Sequence, residues 1–295
     1  MLGVWYAAVL ISRAAAIAPC SALQHLSTTA ARANASLQEE TPSERRSRFV
    51  GVFQRFRARS PTTNRTLASG AGSTLAYTNR TRHTLETVLR AHGIRSLLDV
   101  PCGDFAWMPH LLARHPELRY FGGDLVEELV DEHRARFARL PQWSFGVVDM
   151  AVGLPAELYD LVLTRDALQH LSPGDVLRVI RTVNATRCGG GRAPCFRFWL
   201  VTDYPHISRN GRQRAAGPSG WGTHLYNLRL PPYGLPPPLA RYDEGGGELK
   251  TLALYALPLP DAPRADPAEV ARLPEAAETN ADERELVAAA DMWLT

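Results

Sequence analysis

From residue 80 onward, apolar residues fall into two alternating patterns. "TRHTLETVLRAHGI" sets Leu85, Val88 and Leu89 on one helical face and stops at Gly93, a glycine end-cap. "RSLLDV" then reads as a short buried strand ending at Asp99, and "AWMPHLLARHP" as a short helix with Pro109 in its first turn. "LRYFGGD" is a second strand ending at Asp124. In "LVEELVDEHRARFARL", Val126, Leu129, Val130, His133 and Phe137 recur at helical spacing. "WSFGVVDM" and "YDLVLTRD" are a third strand, ending near Asp149, and a fourth. "SPGDVLRVIRTVNA" is a helix opened by Ser172 as N-cap, Pro173 at the first position and Asp175 at the third. "FRFWLVTDY" is a fifth strand, and "KTLALYAL" closes the regular part as a final one. Alternation of strand and helix through 80–204 predicts an α/β fold, doubly wound, with a mostly parallel sheet and helices on both faces.

The remaining chain divides by texture. Residues 1–44 read as a targeting segment and linker, and 45–79 as a basic and aromatic entry segment. Residues 80–258 form the α/β domain, with 205–238 as a long loop without periodicity. Residues 259–295 form an acidic tail with nine acids against three arginines from Asp261 onward. In the entry segment, "RRSRFVGVFQRFRAR" interleaves arginines with Phe49, Phe53 and Phe56; an amphipathic helix packing its aromatics on the domain is expected.

Composition then removes several function classes. A mean hydropathy of −0.19 excludes a polytopic membrane protein. Net charge is only +3, with Lys250 the sole lysine; the basic residues cluster somewhat at Arg45–Arg59, but their interleaved aromatics read as a helix packed on the domain, and nothing favours nucleic acid. Cysteine is sparse (Cys20, Cys102, Cys188, Cys195), without a CxxC pair or a histidine at ligand spacing, so no metal site is expected. "CGGGRAPC" fits either a small disulfide loop or two free thiols. The first 38 residues contain no acid, and their apolar run is too short and broken for a stable membrane span unless it is retained as an anchor. A secretory signal and an organellar transit peptide both fit. Four of the seven asparagines (Asn34, Asn64, Asn79, Asn184) precede x-Ser/Thr, against about 0.8 expected by chance. That excess favours the secretory route and marks a candidate glycoprotein.

Candidate chemistry sits where the strands end, since ligands of open parallel sheets bind beyond the carboxyl ends of the strands. Asp99 with the "PCGDF" turn, Asp124, Asp149, and then Arg165, Asp166 and His170 occupy those ends. Three acids on three successive strands suit a ligand carrying hydroxyls, an amine and positive charge better than one rich in phosphate. "LLDVPCGDF", "FGGDL", "VVDM" and "YDLVLTRDALQHL" resemble, in order and spacing, the motifs of class I S-adenosyl-L-methionine (SAM)-dependent methyltransferases. A closer likeness is to a broad branch reading "SLLDVPCGDFNWM", "CRDxLxHL" and "GxWRxxNL…PFxxPxPL". This chain has "GWGTHLYNLRLPPYGLPPPL" in the last position and a similar "SGAGSTL" entry. The likeness spans about residues 69–257 and implies a Rossmann-like, seven-stranded sheet.

The resemblance implies roles position by position. The turn Pro101, Cys102, Gly103, Asp104 and Phe105 would bring backbone amides to the methionine part of SAM, with Gly103 allowing the closest approach. Asp124, followed by Leu125, would hold the ribose hydroxyls. Asp149 would take the adenine amine, with Met150 against the ring. Asp99 would orient the loop or the ligand's ammonium, and Arg165 would bind a carboxylate of the cofactor or of an acidic substrate. Asp166 and His170, four residues apart, would share a helical face at the fourth strand's mouth, with His170 as base. Trp221, His224, Tyr226 and Asn227 are expected on the substrate side or in a buried structural clamp. The expected activity is methyl transfer from SAM to a small-molecule or peptide acceptor. A non-catalytic descendant that binds SAM or a partner is the rival reading, and an NAD(P)-dependent oxidoreductase the weaker one. "CGDFAWM" lacks the later glycine that seats a pyrophosphate.

Overall fold

A computed structural model describes residues 41–59, 69–210, 213–214, 223–245 and 249–259, all within the unit Glu39–Thr295. Residues 1–40 with Asn34, and Asn64, Trp221 and residues 260–295 of the acidic tail lie outside the described residues, while α1 begins inside the expected linker, at Pro42.

The strands run β1 (Ser96–Asp99), β2 (Arg119–Asp124), β3 (Trp143–Val147), β4 (Tyr159–Thr164), β5 (Arg187–Cys188), β6 (Ala193–Pro194), β7 (Phe196–Asp203), β8 (Gln213–Arg214), β9 (Thr223–His224), β10 (Ala240–Asp243) and β11 (Thr251–Ala256). Seven of them form one sheet in the order β10-β11-β7-β4-β1-β2-β3. All neighbours pair in parallel except β11, which runs antiparallel to both β7 and β10. This is the Rossmann-like sheet the sequence predicts. Side-chain alternation fills both faces. Leu97, Leu161, Leu163 and Leu200 enter one apolar cluster, while Leu98, Val162, Trp199 and Val201 enter the other.

The helices are α1 (Pro42–Arg59), α2 (Asn79–Ala91), α3 (Met108–Leu112), α4 (Glu127–Arg136) and α5 (Pro173–Ala185). Thr41 and Glu44 close a capping box on α1: the Thr41 Oγ1 accepts the Glu44 N–H at 3.2 Å, and Glu44 Oε2 accepts the Thr41 N–H at 2.9 Å. Ser172 caps α5 by accepting the Asp175 N–H at 3.1 Å, as its sequence signature predicts. Gly93 takes a φ of 59° just past α2, the expected glycine stop.

Three features depart from the sequence reading. Strand β10 is additional: "ARYD" alternates Ala240 and Tyr242 with Arg241 and Asp243, but over only four residues and directly after a proline-rich stretch. The segment 205–238 is tied down in part, through a β8–β9 hairpin and the Asn210 side chain, which bonds the carbonyls of Asn227, Leu230 and Pro231. Asp166 and His170 do not share a helix: Asp166 sits at a φ of 49°, and only Leu168–His170 forms a 3₁₀ turn. Of the two open readings of "CGGGRAPC", the structure shows the disulfide, Cys188–Cys195, closing the β5–β6 hairpin.

Candidate active site

The carboxyl ends of β1, β2 and β4 and the region just beyond β3 border a cavity of about 710 Å³. Its floor is the turn after β1. Gly103 there has a φ of 58°, donates its N–H to Asp124 Oδ2 at 3.0 Å and receives a bond from buried His133 Nε2 through its carbonyl at 2.8 Å. Burial holds the His133 pKa below the usual imidazole value, so the neutral ring donates from Nε2. Asp124 Oδ1 also accepts the Val126 N–H at 3.0 Å. Burial raises the Asp124 pKa, against the pull of backbone amides including those of Gly103, Leu125 and Val126. Pro101, Leu125 and Met150 border the same space.

A second wall comes from the entry segment. α1 lies across the strand ends: Arg45 ion-pairs with Asp149 at 3.0 Å, Phe53 packs with Val126 and Leu129, and Phe56 approaches Gly70. Phe49, Phe53 and Phe56 all face the cavity, so the expected amphipathic helix spends its aromatic stripe there. The segment 69–77 adds Ser69, Gly72 and Tyr77. Asp104 fastens it by accepting the Ser69 N–H at 3.0 Å.

At the exit of β4 stands a charged network. The β10–β11 connection arrives on this edge because β11 runs antiparallel, and it delivers Glu244 and Lys250. Lys250 Nζ donates to both Asp166 oxygens at 2.8 Å, and Arg165 meets Asp166 at 3.1 Å and Glu244 at 2.7 Å. Burial alone would raise the Asp166 pKa, but Arg165 and Lys250 beside it hold it below the ordinary carboxylate value. Burial pulls the Lys250 pKa down, yet Asp166 and Glu244 raise it, so this lysine stays an ammonium. Asp166, Gln169, His170, Leu171 and Lys250 border the cavity.

Several expected site residues are placed elsewhere. Asp99 is buried away from the cavity, accepting from Tyr120 Oη at 2.8 Å, and burial pushes its pKa up to about 7. Phe105 turns into the core among Tyr120, His133, Phe137, Trp143 and Phe145, because its φ of 57° swings the side chain inward. Cys102 is buried, and Asp104 serves the 69–77 segment. Arg165 is spent on the network and on the Gly72 carbonyl, which it bonds at 3.0 Å. Tyr226 donates to the Leu171 carbonyl at 2.9 Å and stacks on His224, while Asn227 Nδ2 bonds the Pro205 and Ile207 carbonyls. Buried Tyr226 and Asn227, with half-buried His224 stacked on the tyrosine, form the structural clamp rather than a cavity wall. Gly103 also has a different reason to be glycine: a Cβ there would meet Ser69 Oγ at 2.6 Å.

Arg45, Ser69, Tyr77, Glu244 and Lys250 are site residues that the sequence reading did not single out. Two of them carry a signal: Ser69 opens the "SGAGSTL" entry, and Lys250 is the one lysine among 33 basic residues. Among the described residues no group of three or more metal-ligating side chains occurs, and no helix is long and apolar enough to cross a membrane.

The family model described as "Methyltransferase domain" matches residues 97–191. Residues 97–191, about a third of the chain, are thus similar to a methyltransferase domain. The match runs from β1 through the β5–β6 turn and contains Gly103, Asp124, Asp149, Asp166 and His170. No curated protein sequence matches the chain. Among solved structures, a Burkholderia thailandensis 1,6-didemethyltoxoflavin-N1-methyltransferase with bound 1,6-didemethyltoxoflavin and S-adenosylhomocysteine is similar. It has 14% identity and a TM-score of 0.49, over 75% of this chain and 92% of that one. The glycopeptide N-methyltransferase MtfA, complexed with S-adenosylhomocysteine, gives 12% identity and a TM-score of 0.46 over 61% and 90%. PKMT2 from Rickettsia typhi, in complex with AdoHcy, gives 12% and 0.33 over 41% of this chain, which spans only 24% of that protein. α1 and Lys250 with the adjoining β11 lie outside the matched residues.

Proposed function

We propose that this chain transfers a methyl group from SAM to a small acceptor held under α1. One observation carries the reading: the buried Asp124 carboxylate borders the cavity and is held by the amide of the glycine turn. That is a hydroxyl-binding carboxylate beside a floor without a Cβ, and it fits a ribose next to a methionine chain. Leu125 and Met150 would flank the adenine, with Asp149 toward its amine. Pro101, Gly103 and the 69–72 segment would bound the methionine end.

SAM, when bound, supplies a methyl group on a sulfonium, open to in-line attack. Positioning the acceptor is the protein's main task, and such alignment can supply several kcal/mol of a barrier. Asp166, kept anionic by Arg165 and Lys250, orients a donor group on the acceptor. His170 borders the same space and takes the proton that the attacking atom releases. Phe49, Phe53 and Leu171 favour an apolar body, and enclosure by α1 favours a small molecule over a peptide.

Calorimetry with SAM, S-adenosylhomocysteine and NADH tests the reading. Binding of both adenosyl compounds but not NADH, weakened at least tenfold in Asp124→Asn, is expected; NADH binding alone would overturn it. Labelled-methyl transfer into the small-molecule fraction of an extract separates an enzyme from a binding-only descendant. A secretory location is part of the proposal, supported by the Cys188–Cys195 disulfide and the sequon excess. The Asn184 side chain counts against use of its own sequon, since Nδ2 donates to the Leu259 carbonyl at 2.8 Å. Sequencing the mature N-terminus tests that location.

A further inference from the structure

Arg45 is a costly residue to place where it stands. Its side chain is 1% exposed, and it lies in the first turn of α1, where a cation opposes the helix dipole. The position therefore gains nothing from the helix, and its reason must be the groups it touches. Nε bonds Asp149 Oδ2 at 3.0 Å and Oδ1 at 3.2 Å, and Nη1 meets Asp175 Oδ1 at 2.6 Å. Asp175 does not need the arginine to be satisfied. It sits in the first turn of α5, where a carboxylate is favoured, and Ser172 Oγ donates to it at 3.0 Å. It acts as a fixed post that holds the guanidinium in one plane.

The other partner is the group with latitude. Asp149 lies beyond the end of β3 in an irregular turn, and its one further side-chain bond is the Ala151 N–H to Oδ1 at 3.0 Å. The Arg45 Nε–H bridges both oxygens and so fixes the second one, and Arg45, Asp149 and Met150 border the cavity together. A carboxylate locked into an ion pair can only accept hydrogen bonds. Its free lone pairs then favour an N–H donor and reject a carbonyl oxygen at the same spot.

We propose that Arg45 is a positioning residue that makes the cavity select an amino-purine over an oxo-purine, by locking Asp149 as an acceptor beside Met150. The inference rests on the proposed cofactor and adds to it a residue from the entry helix.

The test compares the affinities of S-adenosylhomocysteine and S-inosylhomocysteine, which carries an oxygen in place of the adenine amine. A hydrogen bond to a charged group corresponds to a preference of about tenfold or more for the adenosyl compound in the unaltered chain. In Arg45→Met the ratio should fall to within about threefold, chiefly by loss of adenosyl affinity. Asp175→Asn should lower stability yet keep most of the preference, since the Arg45–Asp149 contact survives. If Arg45→Met does not fold, Arg45→Lys, which keeps the charge without the fork, should show a ratio between the two. Equal weakening of both ligands at an unchanged ratio would make Arg45 merely structural and overturn the inference. An unaltered chain that binds both ligands equally would also overturn it while leaving the cofactor assignment standing. Failure to bind either ligand would overturn the proposed function itself.

Discussion

Ser69 and Asp104 bond each other twice: the Asp104 carboxylate accepts the Ser69 N–H at 3.0 Å, and Ser69 Oγ accepts the Asp104 N–H at 2.7 Å. This reciprocal pair joins the entry segment to the turn after β1, across 35 residues of sequence. Ser69→Ala removes one of the two bonds. A stability loss of about 0.5–1.5 kcal/mol is expected, together with weaker S-adenosylhomocysteine binding, measured by thermal melts and calorimetry.

Gly103→Ala should be worse for two separable reasons. A φ of 58° costs a non-glycine residue roughly 1–2 kcal/mol, and the new Cβ would press on Ser69 Oγ. Adding Ser69→Gly to Gly103→Ala removes the collision and leaves the backbone cost. Partial recovery in the double variant is expected, and no recovery would show that Ser69 is not what the glycine accommodates.

Stability should fall as pH rises across the weakly acidic range. Burial raises Asp99 to about 7 and Asp104 to about 6, the latter against hydrogen bonds from Ser69 and Ala106. Below about pH 4, near the free aspartate value, both folded and unfolded chains hold these protons and the contribution is intact. As pH climbs through about 6 and then about 7, the folded chain must ionise where charge is disfavoured. Thermal melts between pH 4 and 8 should therefore slope downward. Asp99→Asn should flatten the upper part of that slope, and an unchanged slope would remove Asp99 from the account.

Lys250→Met leaves Asp166 with only Arg165 as its cation. Burial then acts on that carboxyl less opposed, its pKa rises, and the acidic limb of the activity profile should move to higher pH. Breaking a buried pair costs about 3–5 kcal/mol at most, so stability should be followed alongside. Lys250→Arg should restore much of both readouts.

Opening the Cys188–Cys195 loop by a double serine substitution should cost about 2.5 kcal/mol on loop entropy alone. The hairpin precedes the amino end of β7, on the edge of the sheet opposite the cavity. Affinity for S-adenosylhomocysteine should therefore be unchanged while the melting temperature drops.

Sequence legibility followed the range of each interaction. Strands β1 to β4 and β7, and the capped helix α5, were readable because apolar period and capping are local signals. Asp124, Asp149, Asp166 and His170 were placed near the cavity by one topological rule about strand ends. What escaped depends on distant partners. The Arg45–Asp149 bond spans 104 residues and the Lys250–Asp166 bond 84, and neither arginine nor lysine announces its counter-ion. Phe105 reads as a cofactor contact in the sequence because the turn's direction depends on a left-handed φ that a phenylalanine does not advertise. Tyr226 and Asn227 stay open in the sequence between substrate side and buried clamp, because a polar side chain satisfied by backbone carbonyls has the same letter as one facing a substrate.

The two sides of the cavity come from separate stretches of chain. Asp124, Gly103 and Asp149 sit within the matched domain, whereas Phe49, Phe53 and Phe56 sit on a helix some forty residues upstream of it. Trimming or enlarging those rings would reshape the room left for an acceptor without disturbing the carboxylates beneath. Under the proposed function, such a division would let acceptor choice change through a single helix while the carboxylates stay in place.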